Sequence, residues 1–102
     1  MLAEFSVTPI GENVHVSKEV SKAIKIVKDS GLDYQVTAMA TIIEGNREVV
    51  MKVIERAHQA VLEGNERVST RIMLDEFRHE STGRIRSKVM QVEKELGTAL
   101  KK

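Results

Sequence analysis

The chain has 102 residues, of which 41% are hydrophobic and 30% charged, and this length fits one domain spanning residues 1–102 because a typical domain takes about 100 to 150 residues. Sixteen basic and fifteen acidic side chains leave a net charge of +1 without a basic block, so nucleic acid is not an expected partner, and no apolar run approaches the roughly 18 residues of a membrane span. The absence of cysteine excludes disulfides, thiolate metal sites and thiol nucleophiles.

The opening stretch MLAEFSVTPIGEN predicts a first strand. It lacks the basic head, the long apolar middle and the cleavage site of an export signal, so we expect a cytoplasmic protein. Within it, Ala3, Phe5 and Val7 alternate with polar residues, and Pro9-Ile10-Gly11 ends the run.

A first helix and a hairpin follow. Ser17 is a plausible N-cap, and the helical period then runs to a stop at Gly31 through Val20, Ala23, Ile24 and Val27. Tyr34 to Ala38 and Thr41 to Glu44 predict two short strands joined around Met39-Ala40.

The second half of the chain repeats this alternation of helix and strand. Asn46 is the expected cap of a second helix, whose inward stripe is Val50, Val53, Ile54, Ala57 and Val61. The segment RVSTRIMLDEF predicts a fourth strand. From Thr82 to about Leu96 the helical period returns at Ile85, Val89, Val92 and Leu96.

The order β-α-β-β-α-β with an added C-terminal helix predicts an α+β, ferredoxin-like fold, an antiparallel sheet with helices on one face. Strand alternation places a core face under the helices, made of Ala3, Phe5, Val7, Tyr34, Val36, Ala38, Ile42, Thr70, Ile72 and Leu74. The opposite face then collects Glu4, Ser6, Thr8, Gln35, Thr37, Met39, Thr41, Ile43, Ser69, Arg71, Met73 and Asp75.

The mixed polar and apolar character of that second face allows two interpretations. An antiparallel sheet commonly has one solvated face, which would explain the hydroxyls and charges. Alternatively, Met39, Ile43 and Met73 make it apolar enough to be covered by a second subunit or a ligand.

Several functions hosted by this fold lack their residues here. RNA recognition needs aromatic side chains on the central strands, but Phe5, Tyr34 and Phe77 are the only aromatics and Phe5 falls on the core face. An acyl-phosphate hydrolase would need an arginine in the loop after strand 1, which PIGENVHVS lacks. A heavy-metal carrier would need paired cysteines.

The titratable residues predict neither a metal site nor catalysis. His15, His58 and His79 lack the spacing of a helical zinc pair, so we expect no metal. No nucleophile–base pair is visible, and no cofactor is expected to be required. The charged run from Asp75 to Glu80 is interpreted as a solvated turn, with Asp75 sharing the second sheet face with Thr37 and Arg71.

Several motifs together resemble a known family. They are SGLDY from Ser30, MATIIEG from Met39, the helix REVVMKVIERAHQAVLEGNERV and the closing IMLDEF. Nearly the whole chain resembles the small thiamine-binding proteins of archaea and bacteria. Ala40 stands where the family usually has glycine, and Phe77 is inserted in a segment that usually resembles D-D-R.

The resemblance implies a ferredoxin-like protein that assembles through its sheets as a homo-oligomer, with a dimer of dimers expected. It also implies binding of thiamine or its hydroxymethylpyrimidine moiety without catalysis. Hydroxyl and carboxylate side chains suit the donor and acceptors of an aminopyrimidine, and a pocket shared between subunits is favoured. With Thr37 added from the second sheet face, the predicted ligand-binding residues are Ser17, Tyr34, Thr37, Met39, Thr41, Glu44, Arg71 and Asp75.

Alternatives remain open at this point. Glu44 precedes the predicted cap Asn46, so it could instead stabilise the positive end of the second helix. The whole protein could be a regulatory or scaffold module whose open sheet face binds only protein partners. An enzyme ranks third.

Overall fold

The protein is described by a computed structural model that covers residues 1–79 and 82–102. The four strands form one antiparallel sheet in the order β2-β3-β1-β4. This confirms the predicted α+β, ferredoxin-like arrangement. The elements are β1 (Leu2–Ile10), α1 (Val16–Asp29), β2 (Asp33–Val36), β3 (Thr41–Glu44), α2 (Arg47–Leu62), β4 (Arg67–Asp75) and α3 (Arg84–Leu96).

The core lies between the sheet and the pair α1 and α2. Ala3, Phe5 and Val7 of β1 are buried there, as predicted from their alternation. α1 contributes Ala23 and Val27 at its helical period. All of the predicted stripe of α2 is buried, namely Val50, Val53, Ile54, Ala57 and Val61.

The helix ends follow local hydrogen bonding. Asn46 caps α2 as predicted, since its side chain accepts a hydrogen bond from the backbone N–H of Glu48 at 3.0 Å. The prediction that Ser17 caps α1 is wrong. The cap position is His15, whose carbonyl accepts from Glu19 N at 3.0 Å, and Ser17 is an exposed residue of the first turn.

The predicted faces of β3 are reversed. Phe5 pairs with Thr41 and Ala3 with Ile43, so Thr41 and Ile43 face the core while Ile42 faces away from it. The error arises in the turn, because β2 ends at Val36 and residues 37–40 are not strand. The alternation of side chains between the two faces does not continue through a turn. A shift of one residue there exchanges the faces of every residue in the next strand.

β4 is an edge strand that pairs with β1 along its whole length and ends at Asp75, earlier than the predicted Phe77. Its register places Ile72 and Leu74 on the helix side, opposite Phe5 and Ala3. Both were predicted to be core, yet they are 43% and 47% exposed. The sheet edge therefore extends beyond the cover of the helices.

α3 packs on the opposite side of the sheet, which we call the outer face. Glu44 pairs with Leu2 on that face and accepts a hydrogen bond from Arg84 N, the first residue of α3. The outer face, predicted to be uncovered, is thus covered over β2 and β3. The β1–β4 half stays open, and we call it the open surface; Glu4, Arg71 and Met73 are exposed on it. No helix in the described ranges is long and apolar enough to cross a membrane.

Candidate functional site

A cleft opens where β3 ends short of the full length of β1. β3 pairs with β1 only between Leu2 and Phe5, whereas β1 continues to Ile10. α1 forms one wall and the β2–β3 turn forms another, enclosing a volume of about 220 Å³. We call it the hairpin cleft. It is lined by residues 5–8 and 36–41 and by Val16, Val20, Ala23 and Ile24.

The backbone of β1 supplies unpaired hydrogen-bonding groups to this cleft. Beyond Phe5, no strand within residues 1–79 and 82–102 pairs with β1 on the β3 side. In an antiparallel ladder, alternate residues direct both their N–H and C=O groups to the same side. Peptide donors and acceptors beyond Phe5 are therefore available beside the cleft, as they are at any free strand edge.

The described residues that line the cleft carry no charge. Thr37 and Thr41 bring hydroxyl groups to it, whereas Ser6 and Thr8 pair with Arg71 and Ser69 on the outer face and border the cleft through the backbone of β1. Recognition in such a cleft must depend on hydrogen bonds and apolar contact rather than on ion pairs.

Thr41 and Thr37 differ in how their hydroxyls are used. Thr37 Oγ1 donates to the carbonyl of Ala40 at 2.7 Å and accepts from the backbone N–H groups of Met39 and Ala40 at 3.3 and 3.1 Å, which fixes the turn. Thr41 is only 6% exposed, and its hydroxyl makes no hydrogen bond to the part of the chain that the structure describes. The hydroxyl is not one of the fully buried atoms without a partner, so it stays accessible at the cleft and can bond to a ligand.

Met39 lies at the tip of the same turn. It was predicted on the sheet face, but the turn removes it from the strands and leaves it 87% exposed at the edge of the cleft. A flexible, polarisable thioether there can adapt to a planar ligand.

Glu44 and Asp75 belong to a different cluster, organised by Arg84. The Glu44 carboxylate accepts from Arg84 N at 2.9 and 3.1 Å and from Ile85 N at 3.4 Å. The Arg84 guanidinium donates to Asp75 Oδ2 at 2.7 Å and to its carbonyl at 3.1 Å, and lies 4.6 Å from the Phe77 ring centre. Glu44 thus stabilises the positive end of α3, rather than that of α2.

The remaining predicted residues lie elsewhere. Ser17 follows the cleft residue Val16 but is exposed, and Arg71 is exposed on the open surface. Tyr34 lines a separate cleft beneath α3. Within one chain the hairpin cleft therefore gathers Thr37, Met39 and Thr41. The ligand-binding roles of these three residues and of the others stay predictions.

Sequence reasoning missed two features. The free edge of β1 could have been found from strand lengths, because a long first strand beside a short third strand must leave part of itself unpaired. Arg84 gave no comparable signal. Its partners Glu44 and Asp75 are far away in the sequence and meet it only after folding.

The charged run after β4 is more structured than predicted. The carboxylate of Glu76 pairs with the Arg47 guanidinium at 2.5 Å, and this hydrogen bond lowers the pKa of Glu76. Glu80 lies outside the described residues. In the described ranges no three His, Asp or Glu side chains are grouped as metal ligands.

Comparison with known proteins identifies the family of the chain. A family model described as "Thiamine-binding protein" matches residues 3–93. The chain belongs to this family. A relative from Mycobacterium bovis, a UPF0045 protein, is 43% identical over 97 residues, which is 94% of each chain.

Solved structures of similar proteins share the family fold. A domain of unknown function, DUF77, from Bacillus cereus superposes with a TM-score of 0.78 at 32% identity, over 87% of this chain and 86% of that one. A hypothetical protein from Methanocaldococcus jannaschii gives 0.76 at 34% identity, over 88% and 94%.

Proposed function

We propose that the protein is a non-catalytic binding protein for thiamine or its hydroxymethylpyrimidine moiety, acting as a cytoplasmic carrier or sensor within a homo-oligomer. Membership of the thiamine-binding protein family supports a thiamine-related role. The observation that carries the proposal is the hairpin cleft, where the unpaired edge of β1 lies beside the unpartnered Thr41 hydroxyl.

An aminopyrimidine matches these groups. Its amino donor and ring-nitrogen acceptor stand side by side, as the N–H and C=O groups of a strand edge do. The aliphatic residues of α1 and β1 provide contact for the ring. The volume of about 220 Å³ is below the about 300 Å³ at which drug-sized pockets begin, so one ring fits and the thiazolium would extend outward past Met39.

A binding role without catalysis agrees with the lining. General acid–base and nucleophilic catalysis commonly use His, Asp, Glu, Lys or Cys, and among the described residues none of these types lines the hairpin cleft.

The open surface supports assembly with further copies. Met73 is 65% exposed there, beside the charged Arg71 and Glu4. Burying an exposed apolar side chain at an isologous contact is favourable, and two copies would place Arg71 near carboxylates. Such a contact would also allow Asp75 or Arg71 to complete a pocket shared between subunits.

Thr41→Val tests the proposed site. Losing one hydrogen bond should weaken binding of hydroxymethylpyrimidine or thiamine by about 0.5 to 1.5 kcal/mol, measured by calorimetry. The stability of the free protein should change little, because valine has nearly the same shape and the hydroxyl makes no hydrogen bond to the described part of the chain. Thr98→Val, in the exposed C-terminal tail, is the matched control and should change neither quantity.

Two outcomes would contradict this assignment in different ways. Unchanged affinity in Thr41→Val would place the ligand outside the hairpin cleft. Wild-type protein that shows neither heat nor a higher melting temperature with millimolar ligand would instead favour the alternative, because any ligand of the folded state stabilises it.

That alternative is a regulatory or scaffold module that binds protein. It is favoured by the edge strand β4, where Ile72, Met73 and Leu74 are exposed in succession. Unprotected edges of this kind pair readily with other chains.

A further inference from the structure

A second cleft lies beneath α3 at the free edge of β2. Its volume of about 430 Å³ is within the range of small-molecule sites, about 300 to 1,000 Å³. We call it the α3 cleft. Its lining includes Tyr34, Ile85, Val89, Met90, Glu93 and Lys102.

The wall that α3 contributes to this cleft is apolar. Ile85 and Val89 continue the apolar stripe of α3, and Met90 remains 62% exposed. Tyr34 pairs with the core residue Ile43, so its ring packs on the core side of the sheet and it borders the cleft only at the edge of β2. The α3 surfaces suit a ligand with an apolar body.

The acidic group of the cleft holds a cation that belongs to the chain itself. α3 ends at Leu96 and its C-cap Gly97 has a left-handed φ of 73°, after which the C-terminal tail turns back to Glu93. Glu93 Oε2 accepts from Leu100 N at 2.6 Å and from the Lys102 ammonium at 2.8 Å. The Glu93 side chain is 16% exposed, whereas that of Lys102 is 60% exposed.

The tail contact is suited to exchange. An ion pair with an exposed, flexible lysine contributes little net stability. The other basic side chain of the lining, Arg86, is already held by Asp33 at 2.6 Å. A cation that brings its own apolar body gains contacts with Val89 and Met90 in addition to the carboxylate.

We infer that the α3 cleft binds a small organic cation, whose ammonium group takes the place of Lys102 at Glu93 while its body packs on Val89 and Met90. Lys102 is then a built-in competitor for the site. The Lys102 ammonium and then the Leu100 N–H lower the pKa of Glu93, which keeps the carboxylate ionised at neutral pH.

Calorimetric titration gives a direct assay of this site. Phenethylammonium is the probe, and 2-phenylethanol is its uncharged counterpart. We expect saturable heat of binding with the amine and an affinity about tenfold or more lower for the alcohol, since a charge-assisted hydrogen bond corresponds to a factor of about ten to a hundred.

Variants separate the two parts of the inference. Glu93→Gln should weaken the amine about tenfold or more, while Glu95→Gln, an exposed neighbour on α3, should leave it unchanged. Lys102→Ala should strengthen binding, because the competing ammonium is gone. Circular dichroism should show equal helix content in all variants.

Equal affinity for amine and alcohol, or an unchanged affinity in Glu93→Gln, would overturn the cation site. Weaker binding in Lys102→Ala would overturn the role of Lys102 as a competitor. These outcomes are separate from the proposed function, because the probe has no pyrimidine and the hairpin cleft is tested by Thr41→Val.

Discussion

Replacing Glu44 by glutamine should loosen α3 from the sheet and leave the hairpin cleft intact. The Glu44 carboxylate is only 5% exposed and accepts the backbone N–H groups of Arg84 and Ile85 at the start of α3. Glutamine keeps one oxygen acceptor but loses the charge, and it directs an amide N–H₂ group toward these donors. α3 has no side-chain cap of its own, because Gly83 occupies the N-cap position.

The magnitude follows from these contacts. Hydrogen bonds to a charged group contribute about 1.5 to 3 kcal/mol each, and a charge at a partly buried helix end contributes up to about 2 kcal/mol. Because glutamine retains part of the bonding, we expect Glu44→Gln to lower the free energy of unfolding by about 2 kcal/mol. Glu44→Ala should cost more, since it leaves the buried donors without any partner.

Urea unfolding followed by Tyr34 fluorescence measures this change. With a slope of about 1 to 3 kcal/mol/M for a protein of this size, the midpoint should fall by about 1 M. Glu4→Gln, on the exposed part of the outer face, is the matched control and should stay within about 0.5 kcal/mol of the wild type.

Calorimetry on the same proteins decides between the two roles of Glu44. The capping role predicts that Glu44→Gln binds hydroxymethylpyrimidine or thiamine as the wild type does. An unchanged urea midpoint together with a loss of binding worth about 1.5 to 3 kcal/mol would refute the capping argument and make Glu44 a ligand-reading residue.

Two further changes test the assembly and the segment after β4. Arg71→Glu should put like charges against Glu4 or Asp75 at a contact between open surfaces, and light scattering should then show smaller species than the wild type; a monomer for both proteins would contradict the proposed contact. The second change concerns Glu76, whose pKa is lowered from the ordinary 4.5, first by its hydrogen bond from Arg47. A lowered folded-state pKa stabilises the protein above the ordinary value, and this contribution is lost as the pH falls below 4.5 through the folded value. Thermal melts of Arg47→Gln should therefore lose part of the acid dependence of the wild type, and parallel curves for the two proteins would exclude the effect.

Local patterns in the sequence were sufficient for the elements and most of the core. The helical stripe from Val50 to Val61 is buried as predicted, because a period of 3.6 residues can be read within one segment. Asn46 caps α2 for a similarly local reason, since its side chain reaches an N–H two residues away. The family was also recognisable from the motifs, and the match over residues 3–93 confirms it.

The faces of β3 depended on the turn geometry. The hydroxyl of Thr37 closes residues 37–40 into a turn. The in–out alternation therefore begins again at β3, with Thr41 and Ile43 on the buried side. Strand alternation holds within a strand and not across such a turn, so the sequence pattern could not choose the face.

The sites depended on contacts between distant segments. Glu44 and Asp75 looked like free ligand groups in the sequence, but Arg84 engages both once α3 packs on the outer face. The hairpin cleft exists because a short strand lies beside a long one, and the α3 cleft exists because the tail returns to Glu93. Sequence determined which side chains were available for binding, whereas tertiary packing decided which were already occupied, because a hydrogen-bonding group used within the fold is no longer free for a ligand.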